Sequence, residues 1–359
     1  MNEMALPILL VVLASFFQGT FGLGMKYIKP LAWEAWWLVH ATVAMLLFPW
    51  IWALLVVPDL QGVLSQSPTD AVTKAAMYGF LWGIGGIMFG VSVRYVGMAL
   101  TYGIVMGLAA LMGALIPLVQ RGQMGNPATP YVILAMAVMV AGVALAAYAG
   151  IRRDQVQVQE GRQIAGIQQG RAFRLGLAIA IASGVLSALL AVGFDNAQAI
   201  GDKAVQLGAI QRTSALARWV VVLAGAYLMN AGYALFLLIK NGTFASFKVD
   251  GAGQAYKWAV IAGLLWFAAL GVFGQGAALM GELGTVIAWP MLLGLALIVS
   301  TALAFWSGEW KGAPGPARMM VASVGVLLVA CLLLGYAKSV QPKAPASPAT
   351  TEAAAAESG

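Results

Sequence analysis

"GFLWGIGGIMFG", residues 79–90, sets five glycines and a tryptophan within twelve positions of an otherwise apolar run. In water, a glycine inside a helix costs about 0.8–1 kcal/mol relative to alanine. In a bilayer the balance changes, because small side chains let neighbouring helices approach closely. Gly79, Gly83, Gly86 and Gly90 follow i, i+4, i+7, i+11 spacing and share one helical face. Such a face serves either tight packing or a contact that slides.

The whole chain supports the membrane reading of this stretch. Of its 359 residues, 61% are hydrophobic and 9% charged, with a mean hydropathy of +0.87. A soluble domain carries about 25% charged residues. The net charge of +7 sits in short segments between apolar runs rather than on one basic face, which argues against nucleic-acid binding. One cysteine, Cys331, and one histidine, His40, exclude an intrachain disulfide, a CxxC pair and a multi-histidine metal site. No Walker motif occurs. With sparse carboxylates and no clustered nucleophile and base, the composition speaks against an enzyme and calls for no cofactor.

An apolar run of about 20 residues spans a bilayer as a helix. Ten such runs are predicted: 5–25, 35–57, 75–95, 99–119, 130–150, 174–195, 214–239, 256–280, 284–306 and 317–337. The first lacks a basic leader and is too long for a signal peptide, so it reads as a retained span. The connections 1–2, 3–4, 5–6, 7–8 and 9–10 carry 13 Lys and Arg, against 7 on the opposite side with both termini. The positive-inside rule then places the 151–173 loop in the cytoplasm and both termini outside. That loop is polar and Gln-rich and reads as a linker. Residues 339–359, Pro/Ala-rich and without an apolar face, read as a disordered tail.

The opening stretch has an echo 184 residues later, "GLLWFAALGVFG" at 263–274. Gly79, Leu81, Trp82, Phe89, Gly90, Gly97 and Thr101 are matched by Gly263, Leu265, Trp266, Phe273, Gly274, Gly281 and Thr285, seven identities in 23 ungapped positions. The matched segments are the third and eighth spans, which cross the membrane in opposite directions. The expected fold is therefore an all-α integral membrane protein of ten transmembrane helices, built as two inverted five-helix repeats, 1–150 and 174–338. Inverted repeats suit alternating access to a site at their interface.

Several segments carry a family resemblance. "LWGIGGIMFGVSVRYVGMAL" (81–100) resembles the third-helix segment of the L-rhamnose–proton symporters, a branch of the drug/metabolite transporter superfamily. "TFGLGMKYIKPLAWEAWW" (20–37), "SGVLSA" (183–188), "NAGYALFLLIK" (230–240) and "SGEWKG" (307–312) are similar to other parts of that family, in matching order over residues 15–338. The resemblance implies secondary active transport of a small sugar, most simply L-rhamnose–proton symport by alternating access, in a bacterial-type inner (plasma) membrane. The alternative is an exporter or exchanger of another metabolite or drug on the same fold. The lack of a central Glu in the first span counts against a multidrug carrier. Monomer and homodimer are both left open.

A sugar site needs hydrogen-bonding groups for hydroxyls and an apolar or aromatic surface for the C–H face. Polar side chains inside spans are expensive and each asks for a reason. Asn230 lies in the middle third of the seventh span and suits either a pair of hydroxyls or an interhelical hydrogen bond. Gln18 forms a polar stripe with Ser15 and Gly22. Trp82 and Trp266 occupy equivalent repeat positions and serve as cavity walls or anchors. Tyr102 and Gln275 complete the substrate-binding candidates. For a gate or for proton coupling, which the resemblance implies, the candidates are Lys26 and Glu34 at the junction of spans one and two, His40, and Asp195. Glu282, in an outer turn, has a weaker claim. His40 starts from an ordinary pKa near 6.5. A packing role competes with every one of these readings.

Overall fold

The computed structural model describes residues 5–159 and 170–342. Ten helices are long and apolar enough to cross a membrane. They are α1 (Ala5–Tyr27), α2 (Trp33–Val56), α3 (Thr69–Val96), α4 (Met98–Gln120) and α5 (Thr129–Gln159), then α6 (Gly170–Asn196), α7 (Ser214–Asn241), α8 (Gly253–Leu279), α9 (Gly284–Trp306) and α10 (Pro314–Val340). Every expected span is present. Three boundaries shift by four residues or more: α3 begins at Thr69, and α5 continues to Gln159 while α6 begins at Gly170, so the expected linker is helical where it is described. Residues 160–169, the rest of that linker, and residues 343–359, most of the expected disordered tail, lie outside the described residues. Ser339 and Val340 close α10.

Two spans are irregular. In α1 an α-helical segment, Ala5–Thr20, tightens into a 3-10 segment, Phe21–Tyr27. In α2 the turns Thr42–Leu47 are π-helical, between α-helical Trp33–Ala41 and Phe48–Val56. Pro49 opens the last segment and has no N–H to return to the Met45 carbonyl, a local reason for the wider turn. π-turns inside helices recur at functional sites.

Each half's helices pack mainly on the other half. α1 lies against α8 and α9; α6 lies against α3 and α4. α2 lies against α8, and α7 against α3. α2 meets α7, α4 meets α9, and α5 meets α10. Exchanging α1–α5, in order, with α6–α10 leaves these pairs unchanged. The chain reverses direction at two glycines with the same left-handed φ of 81°, Gly97 between α3 and α4 and Gly281 between α8 and α9. A side chain there would strain the backbone, which is why glycine stands at both turns.

Polar contacts collect at the two ends of the bundle. One end, the terminus face, holds Ala5 and Val340. There Arg121 Nε donates to Asp195 Oδ2 at 2.8 Å, and Gln123 donates to Glu282 at 2.9 Å. The other end, the linker face, holds Gln159 and Gly170. There Lys26 Nζ meets Glu309 Oε1 at 2.9 Å.

Candidate functional site

The sequence places Asn230, His40 and Gln18 on three different helices; the fold links Asn230 to His40 through Trp37 and sets Phe21, one turn beyond Gln18, on the His40 ring. Asn230 on α7 accepts from the indole N–H of Trp37 on α2 at 3.1 Å and donates to the Ala226 carbonyl at 2.9 Å. Trp37 and Trp36 both pack on the His40 ring, at centroid distances of 5.0 and 5.3 Å. Phe21 of α1 stacks on the same imidazole at 6.4 Å, and Gln18 stands one turn before Phe21. One turn along α2, the hydroxyl of Thr42 lies 3.3 Å from that of Tyr227 on α7.

Three polar atoms in this cluster are buried without a hydrogen-bond partner among the described residues: Gln18 Oε1, Trp36 Nε1 and His40 Nδ1. An unsatisfied buried acceptor costs about 1–3 kcal/mol. Solute hydroxyls are chemically suited to relieve that cost. An amide, an imidazole and two hydroxyls, walled by indoles, match the pairing of polar groups and flat apolar surface that a sugar requires.

The glycines bring the third and eighth helices to this cluster. A Cβ on Gly83 would sit 3.2 Å from Asn230 Nδ2, and one on Gly263 would sit 3.0 Å from the His40 carbonyl. Trp82 and Trp266, next to these close approaches, meet each other at 5.6 Å with planes tilted by 31°. The glycine stripe of α3 divides in function. Gly79 packs on the Val222 carbonyl and Gly83 on Met229 and Asn230, whereas Gly86 and Gly90 face open space.

Other candidates lie apart from the cluster. Tyr102 faces Phe89 at 6.4 Å and lines a recess of about 260 Å3 toward the linker face, with Arg153, Glu309 and Trp310. Gln275 bonds its own helix at Gly271, 3.3 Å away, toward the terminus face. Lys26 and Glu34 do not pair with each other. Lys26 takes Glu309, while Glu34 accepts from Thr243 at 2.6 Å and Asn241 at 3.0 Å. Asp195 is buried in its ion pair with Arg121, and Glu282 is bound by Gln123.

Near the terminus face an aromatic plug crosses the bundle. Phe194 stacks on Trp219 at 4.5 Å, and Phe273 meets Phe194 at 5.6 Å and Trp289 at 5.5 Å. Arg218 Nε and Nη2 donate to the Phe194 carbonyl, and its guanidinium carbon lies 3.7 Å over the Phe194 ring. A recess of about 220 Å3, lined by Arg121, Gln198, Gln211, Arg218 and Thr285, sits at this face.

Two of these residues escape sequence reading. Arg218 counts there as one of the connecting cations, yet it is 3% exposed inside α7. A charge within an apolar run is the signal that marks it. Trp37 reads as one more aromatic of "WEAWW"; its pairing with Asn230 requires knowing that α2 lies on α7.

Ten apolar helices with a buried cluster of polar and aromatic side chains between them define a multi-pass membrane protein of the transporter class. The family model described as "L-rhamnose-proton symport protein" matches residues 1–340, and the chain belongs to that family. The L-rhamnose-proton symporter of Pectobacterium atrosepticum is 25% identical over 327 residues, covering 88% of this chain and 92% of its own. That of Yersinia pestis (strain Pestoides F) is 25% identical over 329 residues, covering 88% and 90%. A solved crystal structure aligns over 93% of this chain and 95% of its own, with a TM-score of 0.53 and 15% identity, a likeness of fold alone.

Proposed function

We propose that this protein carries L-rhamnose across a bacterial-type inner membrane together with a proton, by alternating access, on a fold of the drug/metabolite transporter superfamily. The family match over residues 1–340 carries the proposal. Its physical counterpart is the cluster of Gln18, Asn230, Trp82 and Trp266 with Trp37 and His40. In this reading the amides hold sugar hydroxyls, and the indoles take the C–H face and the methyl group of a deoxy sugar. Sugar and proton are the partners, with the lipid bilayer as solvent.

Several observations support an inverted-repeat mechanism. The pairs α1–α8 and α6–α3, α1–α9 and α6–α4, and α2–α8 and α7–α3 interchange when the halves are exchanged, and the turns at Gly97 and Gly281 share one φ of 81°. Trp82 and Trp266, equivalent in the repeat, touch. Equivalent residues that touch lie on the axis relating the halves, and for inverted repeats that axis runs through the middle of the bilayer. The 13-to-7 distribution of Lys and Arg supports a cytoplasmic linker face and outside termini.

For proton coupling we favour His40. Asp195 and Lys26 are held in ion pairs, and Glu34 is bonded at the linker face. His40 packs on Trp37, the partner of Asn230. Uptake of labelled L-rhamnose by proteoliposomes, with His40→Gln beside the parent protein, tests the assignment. The variant should still equilibrate sugar down its gradient but lose accumulation driven by protons. Full proton-driven accumulation by His40→Gln would reject His40 as the coupling group.

A further inference from the structure

The plug at the terminus face has repeat counterparts, and they can be found residue by residue. α3 and α8 correspond with an offset of 184. Gly79 packs on Val222 of α7 while its equivalent Gly263 packs on His40 of α2, so α2 and α7 correspond with an offset of 182. Gly83 packs on Asn230; its equivalent Phe267 packs on Phe48, and the same offset relates Asn230 to Phe48. Gly24 of α1 packs on Ala262, and Gly193 of α6 packs on Tyr78, the equivalent of Ala262, so α1 and α6 correspond with an offset of 169.

The counterparts of Phe194, Trp219, Phe273 and Gly274 are then Met25, Trp37, Phe89 and Gly90. The first set is shut. Phe194, Trp219 and Phe273 are each 0% exposed, and a Cβ on Gly274 would strike Trp219 Nε1 at 2.6 Å. The second set is apart. Met25 is 38% exposed, Trp37 and Phe89 are half-buried, and Gly90 has no atom within 4 Å of an added Cβ. Ala215, which also packs on Gly274, is fully buried, whereas its counterpart Trp33 is 38% exposed. These four positions face the interior in the other half, so contact with lipid does not explain why all of them stand open together.

We infer that Met25, Trp37, Phe89 and Gly90 form the linker-face gate, with Trp37 closing onto Gly90 as Trp219 closes onto Gly274. This rests on the alternating-access reading above. Closing requires Trp37 to give up Asn230 Oδ1, its present acceptor. A neutral polyhydroxylated solute whose hydroxyl donates to Asn230 replaces that bond and frees the indole. The gate and the solute site thus share one hydrogen-bond acceptor, which makes Trp37 a positioning residue for transport.

Cysteine accessibility tests the gate. In a Cys331→Ser background, Met25→Cys and Phe89→Cys report the linker face and Ala215→Cys reports the plug, each labelled by a water-soluble maleimide in detergent with and without saturating L-rhamnose. Met25 is already exposed and Ala215 is close to cysteine in size, so these two remain informative if Phe89→Cys folds poorly. The gate predicts a severalfold slower labelling of Met25→Cys and Phe89→Cys with sugar, and faster labelling of Ala215→Cys. Faster labelling of Ala215→Cys with no protection at Met25 or Phe89 would overturn the gate and leave alternating access intact. No sugar-dependent change at any position would overturn both. If protection at Met25 persists in an Asn230→Ala background without sugar, the shared-acceptor link is supported; if Met25 there labels as fast as in the sugar-free parent, the link is overturned.

Discussion

Trp82 and Trp266, 184 residues apart at matching places in two similar stretches of sequence, meet at 5.6 Å near the midpoints of α3 and α8. The contact lies beside Gly83, which packs on Asn230, and within a turn of Gly263, which packs on the His40 carbonyl. Widening or removing it disturbs the floor of the candidate site without touching its hydrogen bonds. Trp82→Ala should therefore weaken L-rhamnose binding, read as a smaller sugar-induced thermal shift. Ligand stabilisation follows RT ln(1 + [L]/Kd), so a tenfold weaker Kd lowers the shift by about 1.4 kcal/mol at saturating sugar.

Asn230→Ala separates binding from folding. Interhelical hydrogen bonds in membranes average about 0.6 kcal/mol, so the melting temperature should move little. Transport should fall by about tenfold, the equivalent of about 1.4 kcal/mol for one lost amide contact. Uptake assays beside thermal unfolding in detergent check both halves of the expectation. An unfolded variant would show instead that the Trp37–Asn230 bond is structural.

The glycine stripe predicts opposite outcomes along one helix face. A Cβ on Gly79 would collide with the Val222 backbone carbonyl, which cannot rotate away. Gly79→Ala should destabilise by about 1–3 kcal/mol, the usual range for overpacking. At Gly90 an added Cβ meets open space, so Gly90→Ala should leave the unfolding temperature unchanged or slightly raised. Thermal melts of the two variants, side by side, decide the matter.

That split marks how far the sequence could be read. The ten spans and the small face of α3 were legible, because hydropathy and spacing record them directly. Which glycines pack and which face open space depends on where α7 parts from α3, and no local pattern encodes that. The same limit hid Trp37. Its helix, its aromatic neighbours and Asn230 were all visible, but the bond joins residues 193 positions apart. Lys26 and Glu34, close in sequence, look like partners; the 3-10 segment and the turn before Trp33 send them to different partners, Glu309 in the turn after α9, and Asn241 and Thr243 at the end of α7.

The Arg121–Asp195 pair closes the terminus face, with Asp195 5% exposed. Removing one member of a buried pair costs about 3–5 kcal/mol, while replacing both by apolar groups is often neutral. Asp195→Leu should destabilise strongly, and Arg121→Met with Asp195→Leu should recover most of the loss. A double-mutant cycle on thermal or denaturant unfolding measures the coupling.

Glu309 predicts an acid limit. Burial raises its pKa, but Lys26, the Ser307 hydroxyl and Arg153 outweigh that and hold the carboxyl below its ordinary value. A lowered folded pKa means the contribution is complete above the unfolded carboxylate value, about 4.3, and fades as pH falls through the folded one. From pH about 5 to 8 the pair adds no pH dependence. Both side chains are about half exposed, so its effect is small and screened by salt. Glu309→Gln should flatten only the acid limb of a stability-against-pH profile.

The most direct test of the whole account is uptake of radiolabelled L-rhamnose into proteoliposomes, with an inward proton gradient and again with the gradient collapsed by a protonophore. Accumulation above equilibrium that vanishes with the gradient is the predicted result. Folded, reconstituted protein that moves no L-rhamnose under either condition would contradict it.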